Sequence, residues 1–139
     1  MEKEDMKELL ELVDNCKSVI LGSVDGQGYP NAKAMQKIVH EGILCFYFST
    51  FTSAIRTRQY LSNPKSCLYF FRSEGKVAGL MLTGDMEVLT DAGTKQKFWE
   101  DGWKVYYPLG VTDPDYCILK FTARSGNYNC GPKRLLFDI

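Results

Sequence analysis

The stretch ILCFYFSTFTSAIRTRQYLSNP, residues 43–64, decides how the rest of the chain can fold. It opens with six consecutive apolar residues, Ile43–Phe48, and three of them are aromatic. A run of this length is far too short to span a membrane, and its aromatic content favours a strand that is covered on both faces. We therefore expect a central strand here, with hydroxyl-bearing residues at its end.

A short helix is predicted after this strand. Thr52 or Ser53 is a suitable N-cap, and residues 54–61 read as a helix that ends before Asn63-Pro64. Arg56 lies in the first turn, where the helix dipole disfavours a cation unless an anion is bound nearby. Strand-end hydroxyls, free helix N–H groups and a guanidinium group together describe a phosphate-binding site. An ordinary capped surface helix is the alternative, and this stretch alone does not separate the two.

The composition indicates one globular domain over residues 1–139. Hydrophobic residues make up 45% of the chain and aromatic residues 13%, which is enough for a substantial core. Seventeen basic and seventeen acidic residues give zero formal net charge, so we expect neither nucleic acid nor an anionic membrane as a partner. The acidic N-terminal segment lacks the apolar core of a signal peptide, and no long apolar window predicts a membrane span.

The cysteines and the single histidine do not follow the spacing of a metal site. The five cysteines include no C-x-x-C pair, and Cys45, Cys67 and Cys117 lie inside strand-like runs. We expect buried, reduced thiols in a cytoplasmic protein. His40 precedes Glu41-Gly42 at a predicted hairpin turn, and we interpret it as a turn residue.

The remaining pattern is mostly that of short strands. Apolar residues spaced three and four apart predict an amphipathic helix over residues 4–15, and Asp91 is predicted to cap a third helix that runs to about residue 101. Further strands are predicted at residues 18–24, 31–39, 66–72, 77–89 and 116–124, with a final strand or tail at 135–139. Gly84 inside a strand suggests the bulge or bend that barrel closure needs. The fold class is therefore mainly β, a β-barrel with peripheral helices.

An aromatic-rich loop, residues 102–110, follows the third helix. It carries Trp103, Tyr106 and Tyr107, and its apolar area is too large to leave in water on a monomer. We expect the loop to cover the barrel, to dock on a second subunit or to line a ligand pocket.

No self-contained catalytic machinery is evident. The chain holds no G-x-S-x-G, Walker, H-E-x-x-H or G-x-G-x-x-G motif, and a centre built on histidine would depend on His40 alone. Asp85 and Glu87 share one face of a strand, but solvated carboxylates explain them equally well. The catalytic residues stay unidentified, and any chemistry is expected to come from a bound cofactor.

Eight short motifs occur in an order that resembles the pyridoxamine 5′-phosphate oxidase-like family, the FMN-binding split barrels. They are D-G-Q-G-Y-P (25–30), K-A-M (33–35), F-Y-F-S-T-x-T-S (46–53), N-P (63–64), M-L-T-G-D-M-E-V (81–88), F-W-x-D-G-W (98–103), Y-Y-P-L-G (106–110) and D-P-D-Y (113–116). The likeness is greatest to the short bacterial branch called general stress protein-like. It runs from about residue 18 to the C-terminus.

The resemblance implies an antiparallel six-stranded Greek-key barrel that forms a homodimer, with FMN at each of two sites across the subunit interface. It implies a cofactor site made of Lys33, Ala34, Met35 and Gln36 along the ring and ribityl chain, Phe48, Ser49, Thr50 and Ser53 around the phosphate, and Trp103, Tyr106 and Tyr107 from the partner subunit. Arg56 joins this candidate site because its guanidinium group is long enough to reach back to the phosphate. Ala54 and Ile55 stand where tight FMN binders of the family carry basic residues, and Arg56 follows one position later.

Three functions are compatible with these residues. The first is an FMN-dependent oxidoreductase that moves hydride or electrons from a nicotinamide donor to a small acceptor, with Lys33 as a candidate donor near the flavin edge. The second is a non-catalytic flavin- or haem-binding stress protein of the same fold, and the third is a nitroimidazole-reductase-like member. Pyridoxine phosphate oxidation itself is not expected, because Lys133-Arg134 is a weak match to the basic C-terminal segment of the full-length oxidases.

Overall fold

The computed structural model describes all 139 residues. The helices and strands follow in the order α1 (Lys3–Asn15), β1 (Ser18–Val24), β2 (Pro30–Gln36), β3 (Val39–Glu41), β4 (Cys45–Phe51), α2 (Ile55–Ser62), β5 (Lys65–Arg72), β6 (Ala78–Leu89), α3 (Ala92–Phe98), two 3₁₀ helices (Asp101–Val105 and Gly110–Thr112), β7 (Tyr116–Cys130) and β8 (Lys133–Asp138). No helix has both the length and the apolar composition that a membrane crossing requires.

The strands form one curled antiparallel sheet. Their order is β2-β1-β5-β6-β7-β4-β3, and β8 pairs with the second half of β7. The two edge strands, β2 and β3, are joined by only Lys37 and Ile38. Because three Cα–Cα steps span about 11 Å at most, the two edges of the sheet must approach each other. The predicted fold class, an antiparallel barrel with peripheral helices, is confirmed.

The predicted strand over residues 31–39 is wrong in one respect, because the structure divides it into two strands on opposite edges. β2 pairs with β1, whereas the backbone N–H of Ile38 donates to Tyr47 O at 2.8 Å and β3 pairs with β4. The chain changes neighbours at Lys37, whose ammonium group donates to the carbonyl oxygen of Cys16. The split therefore depends on a contact with the end of α1, which strand periodicity does not reveal.

His40 lies in β3, not in the turn where it was predicted. It pairs with Phe46 and stacks on that ring at a centroid distance of 5.4 Å. Its Nε2 contacts Asp14 Oδ1 and its Nδ1 contacts Gly42 O, each at 2.8 Å. The ring thus ties the end of α1 to an edge of the sheet, and the turn itself falls on residues 42–44.

The core lies inside the curl of the sheet. Leu68, Phe70, Leu80 and Leu82 alternate with more exposed neighbours on β5 and β6 and are fully buried. The helix α1 closes one end, where its predicted apolar stripe places Leu9 and other residues in the core. Burial of this apolar surface is the main stabilising contribution to the fold.

Strand β4 is covered on both faces, as its apolar run predicts. Phe46 and Phe48 point into the main core, whereas Cys45 and Tyr47 belong to a second cluster on the other side of the sheet. That second cluster, termed here the outer aromatic cluster, contains Cys45, Tyr47, Phe98, Tyr107, Tyr116 and Ile118, with Trp99 and Trp103 packed against it. It fixes α3 and the loop that follows on the outside of β4 and β7.

The predicted helix after Asp91 and the predicted strand from residue 116 are both present, but each ends at a different residue than predicted. The carboxylate of Asp91 caps α3 by accepting from Thr94 N at 3.0 Å, but the helix ends at Phe98 and a separate 3₁₀ helix follows. Strand β7 continues to Cys130, so the predicted end of this strand at residue 124 is wrong. This second half of β7 is held between β6 and β8, and that pairing is not visible in the local sequence.

Gly84 lies at a break in the β6–β7 register, and the predicted bulge is confirmed. The register shifts between Thr83 and Gly84, so that Thr83 pairs with Ser125 and Gly84 with Ala123. A Cβ atom on Gly84 would overlap the backbone carbonyl oxygen of Thr122. The sheet can bend here because glycine lets two backbones approach each other closely.

We predict that Gly84→Ala lowers the free energy of unfolding by about 2–3 kcal/mol, because the new methyl group meets rigid backbone. The matched control is Gly26→Ala, where a Cβ atom would meet nothing within 4 Å and φ is not positive. Urea denaturation followed by tryptophan fluorescence measures both variants. If the two variants were equally stable, the close backbone approach at the bulge would not be the reason that residue 84 is glycine.

Candidate functional site

A cleft of about 350 Å³ opens between the two edges of the sheet. The end of β2, the end of β4, the first turn of α2 and the first 3₁₀ helix form its walls. Its lining residues are Lys33, Ala34, Met35, Gln36, Lys37, Ile38, Ser49, Thr50, Phe51, Arg56, Glu100, Trp103, Tyr106 and Tyr107. The aromatic side chains Trp103, Tyr106 and Tyr107 are termed here the aromatic wall, and lysine and arginine side chains line the same cleft.

A second cleft of about 340 Å³ lies at the beginning of α2. It shares Lys33 and Arg56 with the first cleft, and Ala54 and Ile55 also line it. The two clefts adjoin at Lys33 and Arg56, so together they offer a space lined by both aromatic and cationic side chains. A ligand with a flat ring and an anionic group would match this lining.

Arg56 carries the clearest sign of a missing ligand. Its Nη2 donates to Thr50 Oγ1 at 2.6 Å, so the guanidinium group turns back over the end of β4. Its Nε is the single buried side-chain nitrogen or oxygen atom in the chain without a hydrogen-bond partner. Leaving such a donor unpaired costs about 1–3 kcal/mol, and more for a charged group. Contact with an acceptor would remove that cost, and because this nitrogen is inaccessible such a contact requires the guanidinium group to shift.

The start of α2 differs from the prediction. Ala54 occupies the N-cap position without a side-chain cap, and neither Thr52 nor Ser53 caps the helix. Instead, Asp115 reaches in from the loop before β7: its carboxylate accepts from Ser53 N and its carbonyl oxygen from Thr52 N, each at 2.8 Å. The prediction that Thr52 or Ser53 caps the helix is therefore wrong, because a carboxylate distant in sequence takes these N–H groups.

Tyr107 presents a neutral hydroxyl group at the aromatic wall. Its side chain is only 3% exposed, and burial raises its pKa to about 12, against a smaller opposite effect from hydrogen bonding to Ser49. Burial likewise raises the pKa of Tyr116, beneath it, to about 12. The Tyr107 phenol therefore stays protonated at neutral pH and can donate a hydrogen bond.

The aromatic wall is held in place from behind by the outer aromatic cluster. Tyr107 packs on Tyr116 at a centroid distance of 4.9 Å, and Trp99 stands edge-on to Trp103 at 5.9 Å. The buried ammonium group of Lys95 donates to Asp113 O at 3.0 Å below them. These contacts fix the loop, so the aromatic wall is preformed.

Most of the residues predicted for the site are brought together by the fold. All of the predicted site residues except Phe48 and Ser53 line the first cleft. Phe48 is fully buried in the core, and Ser53 is exposed outside both clefts. Strand alternation places Phe48 on the core face with Phe46, whereas its neighbour Ser49 lies on the opposite face and reaches the cleft.

Sequence reasoning missed four lining residues: Lys37, Ile38, Phe51 and Glu100. Lys37 follows Lys33 and Met35 at the strand period, which is a signal that could have found it. Nothing local points to Glu100. The aromatic loop reaches this cleft within a single chain, so it does not need a partner subunit to bring it there. The expected contribution of a partner stays a prediction.

A surface with charges only at its borders adjoins the cleft on the convex side of the sheet. Strand register places Ala32, Ala34, Ile20, Gly22, Cys67, Tyr69, Phe71, Gly79, Met81, Thr83, Ser125, Asn127 and Asn129 on one face, termed here the outer sheet face. The same register places Lys65, Asp85, Arg134 and Asp138 at the borders of this face. Tyr69 is 42% exposed and Phe71 48%, and their rings are stacked. Ala34 belongs to both this face and the cleft. A continuous face with exposed aromatics and charges only at its borders is typical of an interaction surface.

Comparison with known proteins gives a consistent result. The family model described as pyridoxamine 5′-phosphate oxidase matches residues 5–130. A Clostridium acetobutylicum protein related to general stress protein 26 of B. subtilis, of the pyridoxinephosphate oxidase family, is 43% identical; the match covers 100% of this chain and 97% of that one, with a TM-score of 0.88. No curated protein sequence matches the chain.

Two more distant structures share the fold alone. General stress protein 26 from Bacillus anthracis is 19% identical, and the match covers 96% of this chain and 99% of that one with a TM-score of 0.75. A heme binding protein from Mycobacterium smegmatis is 12% identical, and the match covers 99% of this chain but 59% of that one with a TM-score of 0.78.

We predict that Tyr107 makes the protein less stable at high pH. A raised pKa in the folded state means that the stabilising contribution is fully present below about pH 10 and is lost as the pH rises towards 12. Tyr107→Phe should lessen this alkaline loss and remove one late step from the absorbance titration of tyrosine. A control, Tyr29→Phe at an exposed turn, should change neither, and an unaltered titration of the Tyr107 variant would contradict the prediction.

Proposed function

This chain belongs to the pyridoxamine 5′-phosphate oxidase family, and we propose that it is an FMN-dependent oxidoreductase that passes hydride or electrons from a nicotinamide donor to a small acceptor. The observation that carries the proposal is the unpartnered Nε of Arg56 at the junction of two clefts. Phosphate oxygens are the acceptors that best match a buried guanidinium donor.

The cationic side chains shared by the two clefts fit the phosphate group of FMN. Lys33 and Arg56 line both clefts, and the Thr50 hydroxyl already accepts from Arg56. Arg56 reaches this place although Ala54 and Ile55 occupy the positions where the family usually carries basic residues. The structure thus supports phosphate binding through the guanidinium group, with Ser49 and Thr50 beside it. Ser53 stays a weaker candidate because it lies outside both clefts.

The aromatic wall of the cleft fits the flavin ring. Ala34 has a side chain small enough to let a flat ring approach the strand, while Trp103 and Tyr106 line the facing wall. The neutral phenol of Tyr107 and the ammonium group of Lys33 are the candidate donors to ring oxygen and nitrogen atoms. FMN, when bound, supplies reversible two-electron redox chemistry. The chain itself binds the cofactor, orients it and limits its contact with water.

A non-catalytic binding protein of the same fold is the second candidate. The structural likeness to a heme binding protein favours it, although at 12% identity that likeness shows the fold alone. The only histidine, His40, does not line the cleft, and both of its ring nitrogens contact groups of this chain. The site therefore offers no histidine ligand for haem iron, and flavin fits it better.

We further propose that the protein is a cytoplasmic homodimer with its cofactor sites next to the subunit interface. The outer sheet face carries charged residues only at its borders and exposes Tyr69 and Phe71, and it meets the cleft at Ala34. A second copy docked on this face would lie directly beside the bound ring. All five cysteines are free thiols, which suits a reducing compartment.

The central test is FMN binding by the purified protein, which we expect to be yellow. Arg56→Gln should weaken FMN binding about 10–100-fold, because a charge-assisted hydrogen bond contributes roughly 1.5–3 kcal/mol. Quenching of flavin fluorescence in a titration measures the affinity. Arg58→Gln is the matched control, since it removes the same charge from an exposed position on the same helix outside both clefts. Equal loss in both variants would contradict the proposed phosphate site.

Anaerobic addition of NADH or NADPH to the FMN-loaded protein then distinguishes an enzyme from a protein that only binds FMN. An oxidoreductase loses the flavin absorbance on reduction and regains it when an acceptor is added. Tight FMN binding without bleaching would favour the non-catalytic alternative.

We predict that the protein is dimeric at micromolar concentration and that Phe71→Asp makes it monomeric, because an unpaired charge would then be buried in the interface. Light scattering measures the mass. Leu61→Asp, at an exposed apolar position on α2 away from the outer sheet face, should leave the dimer intact. A monomeric wild-type protein would refute this part of the proposal.

A further inference from the structure

We propose that Glu100 makes the loop end of the cleft selective for a planar, positively charged electron acceptor. Glu100 is the only carboxylate among the lining residues, and its side chain makes neither a hydrogen bond nor an ion pair within the chain. The adjacent Asp101 differs, because its carboxylate accepts from Trp99 Nε1 at 3.1 Å and does not line the cleft. Glu100 thus contributes a carboxylate without a partner to the lining of the cleft.

The cations of the cleft are already engaged or lie elsewhere. Lys33 and Arg56 are shared with the second cleft, where the proposed function places the phosphate group, and this inference rests on that proposal. Lys37 also lines the cleft, and its ammonium group donates to the carbonyl oxygen of Cys16. When Lys33 and Arg56 offset a phosphate dianion, the charges left in the lining are those of Lys37 and Glu100, and only Glu100 lies on the segment that carries the aromatic wall.

The position of Glu100 beside the aromatic wall is fixed by the backbone. Its carbonyl oxygen accepts from Trp103 N at 2.9 Å and so begins the first 3₁₀ helix. Trp103 is held in turn by edge-on contacts with Trp99 at 5.9 Å and Tyr116 at 6.0 Å. A carboxylate next to indole and phenol rings attracts a flat cation, through ion pairing and through the negative ring faces. A flat anion would meet a like charge instead.

The donor and the cationic acceptor together account for every atom and electron in the proposed reaction. One C–H bond of the dihydronicotinamide donor breaks, and its hydride equivalent, two electrons and a proton, ends in a new N–H bond on the acceptor. A cationic acceptor such as a phenothiazinium dye becomes neutral in this exchange, while the donor becomes a pyridinium cation. The neutral product no longer pairs with Glu100, so its release is favoured.

Binding of two fused-ring probes of opposite charge tests the inference. We would titrate the FMN-saturated protein and the protein without FMN with N-methylquinolinium and with naphthalene-2-sulfonate, using equilibrium dialysis. The wild-type protein should prefer the cation. Glu100→Gln should weaken cation binding about three- to fivefold and favour the anion by a similar factor, so that the ratio of affinities falls about tenfold.

Asp101→Asn is the matched control, because it makes the same change of net charge one residue away and outside the cleft. It should leave the ratio of affinities unchanged. A ratio that does not respond to Glu100→Gln, or that changes equally in the Asp101 variant, overturns the inference. Under turnover, kcat/KM for methylene blue relative to the anionic dye dichlorophenolindophenol should fall in the Glu100 variant alone.

Different measurements would refute the proposed function and the role of Glu100. The Glu100 variant is compared with the wild-type protein at saturating FMN, so that a change in its FMN affinity does not enter the ratio of probe affinities. Absence of FMN binding in the wild-type protein would refute the proposed function, whatever the probes show. Normal FMN binding with no charge preference among the probes would refute the role of Glu100 alone.

Discussion

The structure depends on one covalent constraint, the two-residue connection between the opposite edges of the sheet. Lys37 and Ile38 carry the chain from β2 to β3, and these strands are the two ends of the sheet order. A connection this short cannot be made across a flat sheet, so the sheet must curl. The bulge at Gly84 supplies part of the bend where β6 crosses β7. The core is then enclosed by the sheet itself.

The same constraint creates the site. Where the two edges approach each other, the ends of β2 and β4 leave a gap, and the cleft lies in this gap. The apolar run in β4 must be covered on both faces, so the loop after α3 packs on its outer side. That packing brings Trp103 and Tyr107 to the cleft and buries Tyr116 behind them. The aromatic wall is therefore a consequence of covering β4.

Charge is distributed along the cleft in a way that suits a cofactor with an anionic tail and a separate substrate. Arg56 and Lys33 lie between the two clefts, and Glu100 lies on the aromatic loop. Family membership is established over most of the chain, whereas the relatives differ in what they are named for, from general stress protein to heme binding protein. The fold supplies a common cleft, and the side chains around it decide the ligand.

The sequence by itself determined the local structure: the strands of alternating pattern, the apolar stripe of α1, the cap at Asp91 and the bend at Gly84. Each of these depends on residues that are close together in the chain. Most of the cleft residues, in contrast, could be named through the resemblance of the sequence to a family. Tertiary structure alone decided three features. They are the division of residues 31–39 into two strands, the hydrogen bond from Ser53 N to the Asp115 carboxylate, and the position of Glu100 in the cleft. These features depend on contacts between distant segments, whose energies no local pattern records.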